Sequence, residues 1–454
     1  MNPFRPISIS LSPNTEKDDI ALALKLLFQP RKWKVLKKST GVEKFNNQNQ
    51  LEGEFKKYLG VKYAVSFNSG RSALMAILNS LGLNKDDEVL LQAFTCNAVV
   101  NPILWTGLKP VYVDCDEKTF NIDIEDLKRK ITSRSRVVMV QHTFGLPADI
   151  DEILEICQKN NLILIEDCAH SLGAEYGSRA KRENRSSTFQ PRYVSGKVGT
   201  FGRAAFFSFS RDKVISSVYG GMAVTNDDEL AKKLKEFQEK IGYPSCRWIF
   251  QQLLHPILMN YLILPTYSIS CPVGNRRFSF GVGKYLLVLL QWLQILSKAV
   301  HWKEKRGRKP GYFPKRLPNA LAVLALNQFK KLEKLNQNRK ELSSFYYNEI
   351  KELSSFGLPP SPDDRKQVFL RFTIKHKKAH EIIEKAWQKN LLIGDWYDKV
   401  IAPHDTRLEK MQYIAGSCPK AEKLVKETLN LPTHINISTR EAKKIVDFLK
   451  LFSD

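Results

Sequence analysis

From residue 51 onward the chain alternates short unbroken apolar runs with stretches whose apolar residues recur every three or four positions. The runs at 63–67, 88–92, 110–114, 137–141, 162–166 and 204–209 predict buried strands. The stretches at 51–59, 71–81, 98–106 and 150–160 predict helices between them. Strands that alternate with helices specify an α/β fold with a mainly parallel central sheet and right-handed crossovers. Ligands of such sheets bind beyond the carboxyl ends of the strands, so the turn after each run is where chemistry is to be sought. Before residue 50 the pattern predicts an irregular arm with one helix at 19–28 and a basic stretch at 31–38. After residue 319 a long amphipathic helix at 320–347 leads to a strand at 368–374 and a last helix at 439–452, a smaller α/β C-terminal domain.

Two segments break this rhythm. Between Gly177 and Gly196 lies a polar loop carrying Arg179, Lys181, Arg182, Arg185 and Arg192, whose composition reads as flexible surface or as a lid for anions. Residues 244–312 form the larger interruption. From Trp248 to Asn275 no residue is charged, and Pro256 and Pro265 break the run into a hairpin-like pair. A second apolar stretch at 285–300 confines Gln291, Gln294 and Lys298 to one stripe, and a cationic tail follows from His301 to Arg316. That second stretch is shorter than the roughly 20 residues that span a bilayer. An apolar face flanked by tryptophans and lysines suits a helix lying in an anionic membrane surface. It equally suits a cover for the active site or a dimer interface. The expected division is 1–243, an arm with a large α/β domain; 244–312, an apolar and basic insertion; and 313–454, the small domain.

The composition is that of an ordinary globular chain, but the formal net charge is +24. Such a charge favours anionic partners. Nucleic acid is disfavoured, because no zinc finger, ribonucleoprotein motif or basic-aromatic repeat accompanies the charge. The seven cysteines are scattered without a C-x-x-C spacing, which argues against a disulfide frame or a zinc site and for a reducing compartment. Met1 to Asp19 is polar and broken by proline, without the features of a secretory signal. The expected location is cytoplasmic, with peripheral contact at the inner membrane face if the insertion docks there.

Three features converge on the carboxyl rim of the predicted sheet. Asn68-Ser69-Gly70-Arg71-Ser72 joins a strand to a helix N-terminus, where free N–H groups and the helix dipole favour a phosphate. The run ending in Glu166-Asp167 brings out a carboxylate pair, with His170 one turn on. Ser208 ends the run at 204–209, and Lys213 stands in the turn that follows, ahead of Gly220-Gly221. Any one of these is as well explained by a plain turn, a helix cap or a solvated lysine. Phosphate cradle, carboxylate and strand-end lysine in that order are what a pyridoxal-phosphate site requires. The amine holds the aldehyde as an imine, the carboxylate keeps the ring nitrogen protonated, and the helix end holds the phosphate.

With these residues in place the chain resembles the DegT/DnrJ/EryC1/StrS sugar aminotransferases, of the fold-type-I pyridoxal-phosphate enzymes. The resemblance rests on Phe67-Asn68-Ser69-Gly70, on the stretch from Pro110 to Asp114 followed by Phe120 to Asp123, and on His142 to Asp149. It continues through Glu166 to His170, Gly199 to Gly202, Ser208-Phe209 with Lys213 and Gly220-Gly221, Cys418 to Glu422, and Leu431 to His434. It implies that Lys213 binds the cofactor aldehyde and moves the proton in transamination, and that Asp167 pairs with the ring nitrogen. It also places His170 against the ring substituents and Ser208, Gly70, Arg71 and Ser72 around the phosphate. The implied reaction moves an amino group from an amino acid, such as glutamate, to a phosphate-bearing keto-sugar, in a homodimer. A lysine at 213, where the family's sugar dehydratases have histidine, favours transamination over dehydration. A different reaction of the same cofactor, or a non-catalytic protein retaining the fold, are the rival readings. The chain departs from the family's pattern in three places. Arg71 replaces the usual threonine, Cys96 stands where an aromatic ring stacks on the cofactor (with Phe94 nearby to replace it), and Pro314-Lys315-Arg316-Leu317 lacks the asparagine that reaches the partner's phosphate.

Overall fold

The predicted apolar runs pair into one seven-stranded sheet. The computed structural model describes residues 5–34, 36–37, 43–44, 46–177, 195–273 and 276–453. Strands β1 (Tyr63–Phe67), β2 (Glu88–Gln92), β3 (Lys109–Val113), β4 (Ser135–Gln141), β5 (Ile163–Asp167), β6 (Ala204–Ser208) and β7 (Gly221–Thr225) lie in the order β1-β7-β6-β5-β4-β2-β3. The predicted strands fall within one or two residues of these bounds. The strand absent from the prediction is β7, whose Gly-Met-Ala-Val-Thr run is short and follows the Gly-Gly pair that reads as a turn. It is antiparallel to both neighbours, whereas β6, β5, β4, β2 and β3 run parallel. Helices cover both faces, as a sheet of such apolar strands demands.

The helices that position the site are α1 (Lys17–Leu27), α2 (Asn47–Leu59), α3 (Gly70–Ser80), α4 (Cys246–Leu258), α5 (Val282–Trp292), α6 (Asn319–Phe329) and α7 (Leu332–Ile350). The single helix expected at 320–347 is two, because the chain turns at Lys330 and Lys331. Phe329 and Leu332 are buried on either side of that turn, so the apolar pattern passes through the break unmarked. The small domain pairs β8 (Phe372–Lys375) with β9 (Thr428–Leu431) in antiparallel register, under the final helix Thr439–Leu449. Ser438 accepts the Glu441 N–H while the Glu441 carboxylate accepts the Ser438 N–H, a capping box that fixes where this helix starts.

The insertion differs from its expected form. Its first apolar segment, expected as a proline-broken hairpin, opens with a helix that packs inward: α4 buries Trp248, Ile249 and Leu253 in the core that also holds Ala23 and Leu26 of α1. A wide turn and a two-stranded hairpin, Ile269–Val273 with Arg276–Phe280, lead into α5. The second apolar segment is helical only to Trp292, and the residues after it fold back over the carboxyl rim of the sheet. Among the described residues no helix is long and apolar enough to cross a membrane. The basic loop with Arg179, Lys181, Arg182, Arg185 and Arg192 lies outside the described residues.

Alternation along β5 separates the Glu166-Asp167 pair. Adjacent residues of a strand point to opposite faces. Glu166 turns away from the rim and is fully buried, accepting N–H bonds from Gly199, Phe201 and Gly202 at 2.7 Å each. His142 receives the Ala148 N–H on Nδ1, so Nε2 carries the proton donated to Glu166 at 3.2 Å. Cys168 lies close to this pair, but the lone pairs of Glu166 and His142 are already taken by N–H donors. Glu166 therefore pins the loop before β6, and Glu166→Ala, which strands buried N–H groups, is expected to lower unfolding stability by about 3 kcal/mol or more, measured by urea denaturation.

Candidate active site

Lys213 sits in the loop joining β6 to β7. The loop closes on itself through Phe209 N–H to Gly220 C=O at 2.8 Å and Ser217 N–H to Phe209 C=O at 3.0 Å. It is also gripped from outside. Asn14 of the N-terminal arm donates to the Lys213 carbonyl at 2.6 Å, and Arg339 of α7 donates to the Val214 carbonyl at 2.7 Å and to Asn14 Oδ1 at 3.0 Å. Asn14 and Arg339 are both 1 % exposed. Nothing in the sequence marked either, since contacts spanning 199 and 125 residues leave no local pattern.

Lys213 and Asp167 line one cavity of about 290 Å³, together with Ser69, Gly70, Arg71, Cys96, His170 and Ser208. Burial pushes the Lys213 amine down to about 8, against the opposing pull of the Asp167 carboxylate. Burial likewise pushes the Asp167 carboxyl up, opposed by the Ala169 N–H, which donates to Oδ1 at 2.9 Å, and by Lys213. His170 receives the Phe144 N–H on Nδ1 at 3.3 Å, which leaves its proton on Nε2, 3.5 Å from the Tyr397 hydroxyl. Burial, with Lys213 and Arg371 nearby, holds that imidazole neutral. Its ring lies between Phe144, at 5.9 Å and 4°, and Trp396, at 5.8 Å and 21°.

The helix-terminus end of the cavity is set by glycine. A Cβ on Gly221 would stand 2.4 Å from the Gly70 nitrogen, so only glycine lets α3 press its first turn onto β7. Ser69 caps α3 by accepting the Ser72 N–H at 3.0 Å. Two expectations are corrected here. Ser72 turns away, its hydroxyl donating to Asn68 Oδ1 at 2.7 Å, and is not on the cavity wall. Phe94 is fully buried against Phe120, Phe144 and Tyr397 beneath the wall and does not take the place of a stacking ring at Cys96. Cys96 is on the wall, its thiol pushed up by burial. The aromatic side chains that do line the cavity, besides His170, are Phe206, Tyr219, Trp396 and Tyr397.

The insertion closes the site in cis. Arg71 Nε lies 2.6 Å from Glu304 Oε2, and its Nη2 donates to the Ala299 carbonyl at 3.2 Å. Arg211, two residues before Lys213, donates to the Ser297 carbonyl and hydroxyl at 2.7 and 2.6 Å. Tyr219 donates to the Lys298 carbonyl at 2.6 Å. The segment that lacks the family's partner-reaching asparagine packs on this chain's own elements: the Lys315 carbonyl accepts the Asn68 N–H at 3.0 Å, and the Arg316 guanidinium lies over the Tyr243 ring at 4.8 Å.

These residues fit pyridoxal phosphate. A buried amine of lowered basicity and a buried carboxylate share one cavity with a helix N-terminus. Beside that terminus Arg211 presents a buried Nε with no hydrogen-bond partner, a donor suited to an anion.

A sequence model of the DegT/DnrJ/EryC1/StrS aminotransferase family matches residues 29–247 and 291–450. The chain is 36% identical to the GDP-perosamine synthase of Caulobacter vibrioides over 201 residues, 44% of this chain and 50% of the relative. It is 27% identical over 400 residues, 88% of each chain, to a dTDP-3-amino-3,6-dideoxy-alpha-D-galactopyranose transaminase of Aneurinibacillus thermoaerophilus. Its fold matches the crystal structure of an aminotransferase from Psychrobacter cryohalolentis with a TM-score of 0.70 at 19% identity, over 99% of both chains.

A buried amine near 8 is protonated below that pH and free above it, whereas an ordinary lysine frees its amine only near 10.5. Competitive acetylation of the cofactor-free protein, read at Lys213 by mass spectrometry, is expected to rise with a midpoint near pH 8. Asp167→Asn removes the charge that holds the proton on, and is expected to move the midpoint lower still.

Proposed function

The chain belongs to the DegT/DnrJ/EryC1/StrS aminotransferase family, and from that premise we propose that Lys213 and Asp167 carry a pyridoxal-phosphate-dependent transfer of an amino group from an amino acid, glutamate first, to a nucleotide-linked keto-sugar. The observation that carries the residue assignment is the cavity that gathers Lys213, Asp167, Ser208 and the first turn of α3. Relatives named as a GDP-perosamine synthase and a dTDP-amino-sugar transaminase support a nucleotide-linked acceptor. The bound cofactor supplies an aldehyde to which amines join and a ring that takes up electrons. Lys213 Nζ, far more often unprotonated near neutral pH than an ordinary lysine, would take the proton from the donor's α-carbon and return it on the acceptor side. Asp167 would pair with the ring nitrogen and keep a proton there. His170, neutral with its proton on Nε2, would donate rather than accept toward the ring substituents. The arm and α7 keep the Lys213 backbone fixed through Asn14 and Arg339, so the amine alone moves.

We further propose that subunits pair as homodimers and that the insertion seats the enzyme on an anionic membrane surface. In support, α5 turns Tyr285, Val288, Leu289 and Trp292 outward on one face, with Tyr285 and Trp292 each 75% exposed. The opposite face, through Leu287 and Leu290, packs on Met259, Ile263 and Leu296. Lys303, Lys305, Arg306 and Arg308 follow close by in the chain. Deleting 244–312 would strip partners from Arg71 and Arg211, so surface variants are the better probe.

Purified protein loaded with cofactor is expected to show a visible absorption band that Lys213→Ala abolishes. Lys213→Ala should also lower transfer of ¹⁵N from glutamate to a nucleotide keto-sugar by about 10³-fold or more, and Asp167→Asn by about 10²-fold. A band and transfer rate unmoved by Lys213→Ala would overturn the assignment. Separately, the triple variant Tyr285→Ser, Val288→Ser, Trp292→Ser is expected to lose flotation with phosphatidylserine vesicles while keeping transfer activity in solution. Equal flotation of both proteins would mean that α5 is not the membrane contact.

A further inference from the structure

A second cavity, of about 400 Å³, lies behind Trp396. Asp212, Asp395 and Trp396 line both this space and the cavity that holds Lys213. Its other walls come from three parts of the chain: Leu11 of the arm, Lys284 of the insertion and Arg371 of the small domain. None of these residues has a part in the proposed cofactor contacts.

Arg371 is the unusual group. It is only 3% exposed, and its Cζ stacks 3.4 Å from the centroid of the Trp396 ring. Among the described residues no carboxylate comes within 4.0 Å of it, whereas Arg71 pairs with Glu304 and the buried Arg211 and Arg339 donate to backbone carbonyls. Burial lowers its guanidinium to about 10, with Asp212 and Asp395 offsetting only part of that cost. A guanidinium withdrawn from water without an ion-pair partner is costly unless a ligand completes it. Room is kept for it, since a Cβ on Gly394 would stand 2.8 Å from Arg371 Nη1. Next to Lys213 in the chain, Asp212 has a buried Oδ1 that also lacks a hydrogen-bond partner. One wall thus presents an unpaired cation and an unfilled carboxylate oxygen, a pattern complementary to the carboxylate and ammonium of an amino acid. The Trp396 ring fixes the spacing, with Arg371 Cζ at 3.4 Å and Lys213 Nζ at 5.2 Å from one centroid.

We infer that Arg371 anchors a carboxylate of the amino donor, presenting the donor's amine on the Lys213 side of Trp396. This rests on the transaminase reading above. A planar two-pronged donor stacked on an aromatic face suits a carboxylate better than a lysine would.

The test uses the holoenzyme with glutamate alone, following loss of the visible band. Arg371→Met is expected to raise the glutamate dissociation constant about 30-fold or more, Arg371→Lys by less. The response to propylamine, which has no carboxylate, and the reverse half-reaction with the amino-sugar lose no anchor, and each is expected to change at least tenfold less than glutamate binding does, the remainder reflecting the charge Arg371 exerts on Lys213. Removing an unpaired buried charge should leave the unfolding temperature unchanged or higher, whereas a purely structural Arg371 would lower it. Unaltered glutamate affinity in Arg371→Met, or a loss confined to the amino-sugar, would overturn the inference. Calorimetric binding of 2-oxoglutarate to the unaltered protein and to Arg371→Met keeps the two readings apart. An enzyme that fails to transaminate but loses 2-oxoglutarate binding on substitution refutes the reaction and leaves the anchor standing.

Discussion

The structure depends on one opposition, between the burial of the Lys213 amine and the attraction of the Asp167 carboxylate. Burial removes water from the ammonium and favours the neutral amine; Asp167 favours the charged one. Burial is the larger effect, and the amine settles near 8. With an amine at 10.5 only about one lysine in three thousand would be unprotonated at pH 7, whereas near 8 it is about one in ten. Much else in the fold serves to hold this balance. The sheet brings β5 and β6 side by side in parallel, so that the ends of both strands open into one cavity. Glu166 holds the preceding loop from the opposite face of β5, and Asn14 with Arg339 fix the carbonyls of Lys213 and Val214.

The insertion belongs to the same arrangement. A segment that reads as an appendage supplies backbone carbonyls to Arg71, Arg211 and Tyr219, and a carboxylate to Arg71. It excludes water from the face of the cavity left open by the sheet and thereby contributes to the burial that governs Lys213. The apolar stretch at 285–300 divides its work accordingly: α5 keeps an outward apolar face, and the residues beyond it lie over the rim.

Much of the fold and part of the site could be read from the sequence. Unbroken apolar runs located six strands because strands buried on both faces leave no polar alternation to confuse with helix. Lys213, Asp167, His170, Gly70 and Ser208 came from strand-end turns, where local order carries the meaning. Ser72 and Phe94 were misplaced for a physical reason. A residue one position along a helix, or in a tight turn, can point inward or outward, and only the hydrogen bond to Asn68 or the packing of Phe120 and Phe144 decides it. Arg371, Trp396 and Asn14 gave no signal. Arg371 stands just ahead of β8, Trp396 in a loop and Asn14 in the arm, and their relation to Lys213 exists only after three distant parts of the chain have packed together.

The charge of +24 invites the idea of a cavity lined with free cations, but the arginines there are mostly engaged. Arg71 is neutralised by Glu304, and Arg211 spends one of its nitrogens on Ser297. An anion arriving at the first turn of α3 would therefore meet the backbone N–H groups of a helix terminus and the spare Nε of Arg211, and Arg71 only if Glu304 released it. Partial neutralisation has a consequence for Lys213. Each unpaired cation near the amine lowers its basicity further, as Arg371 already does. Pairing Arg71 with Glu304 leaves one fewer free cation on the wall that Lys213 shares. The insertion thus acts on the cavity through electrostatics as well as through the exclusion of water.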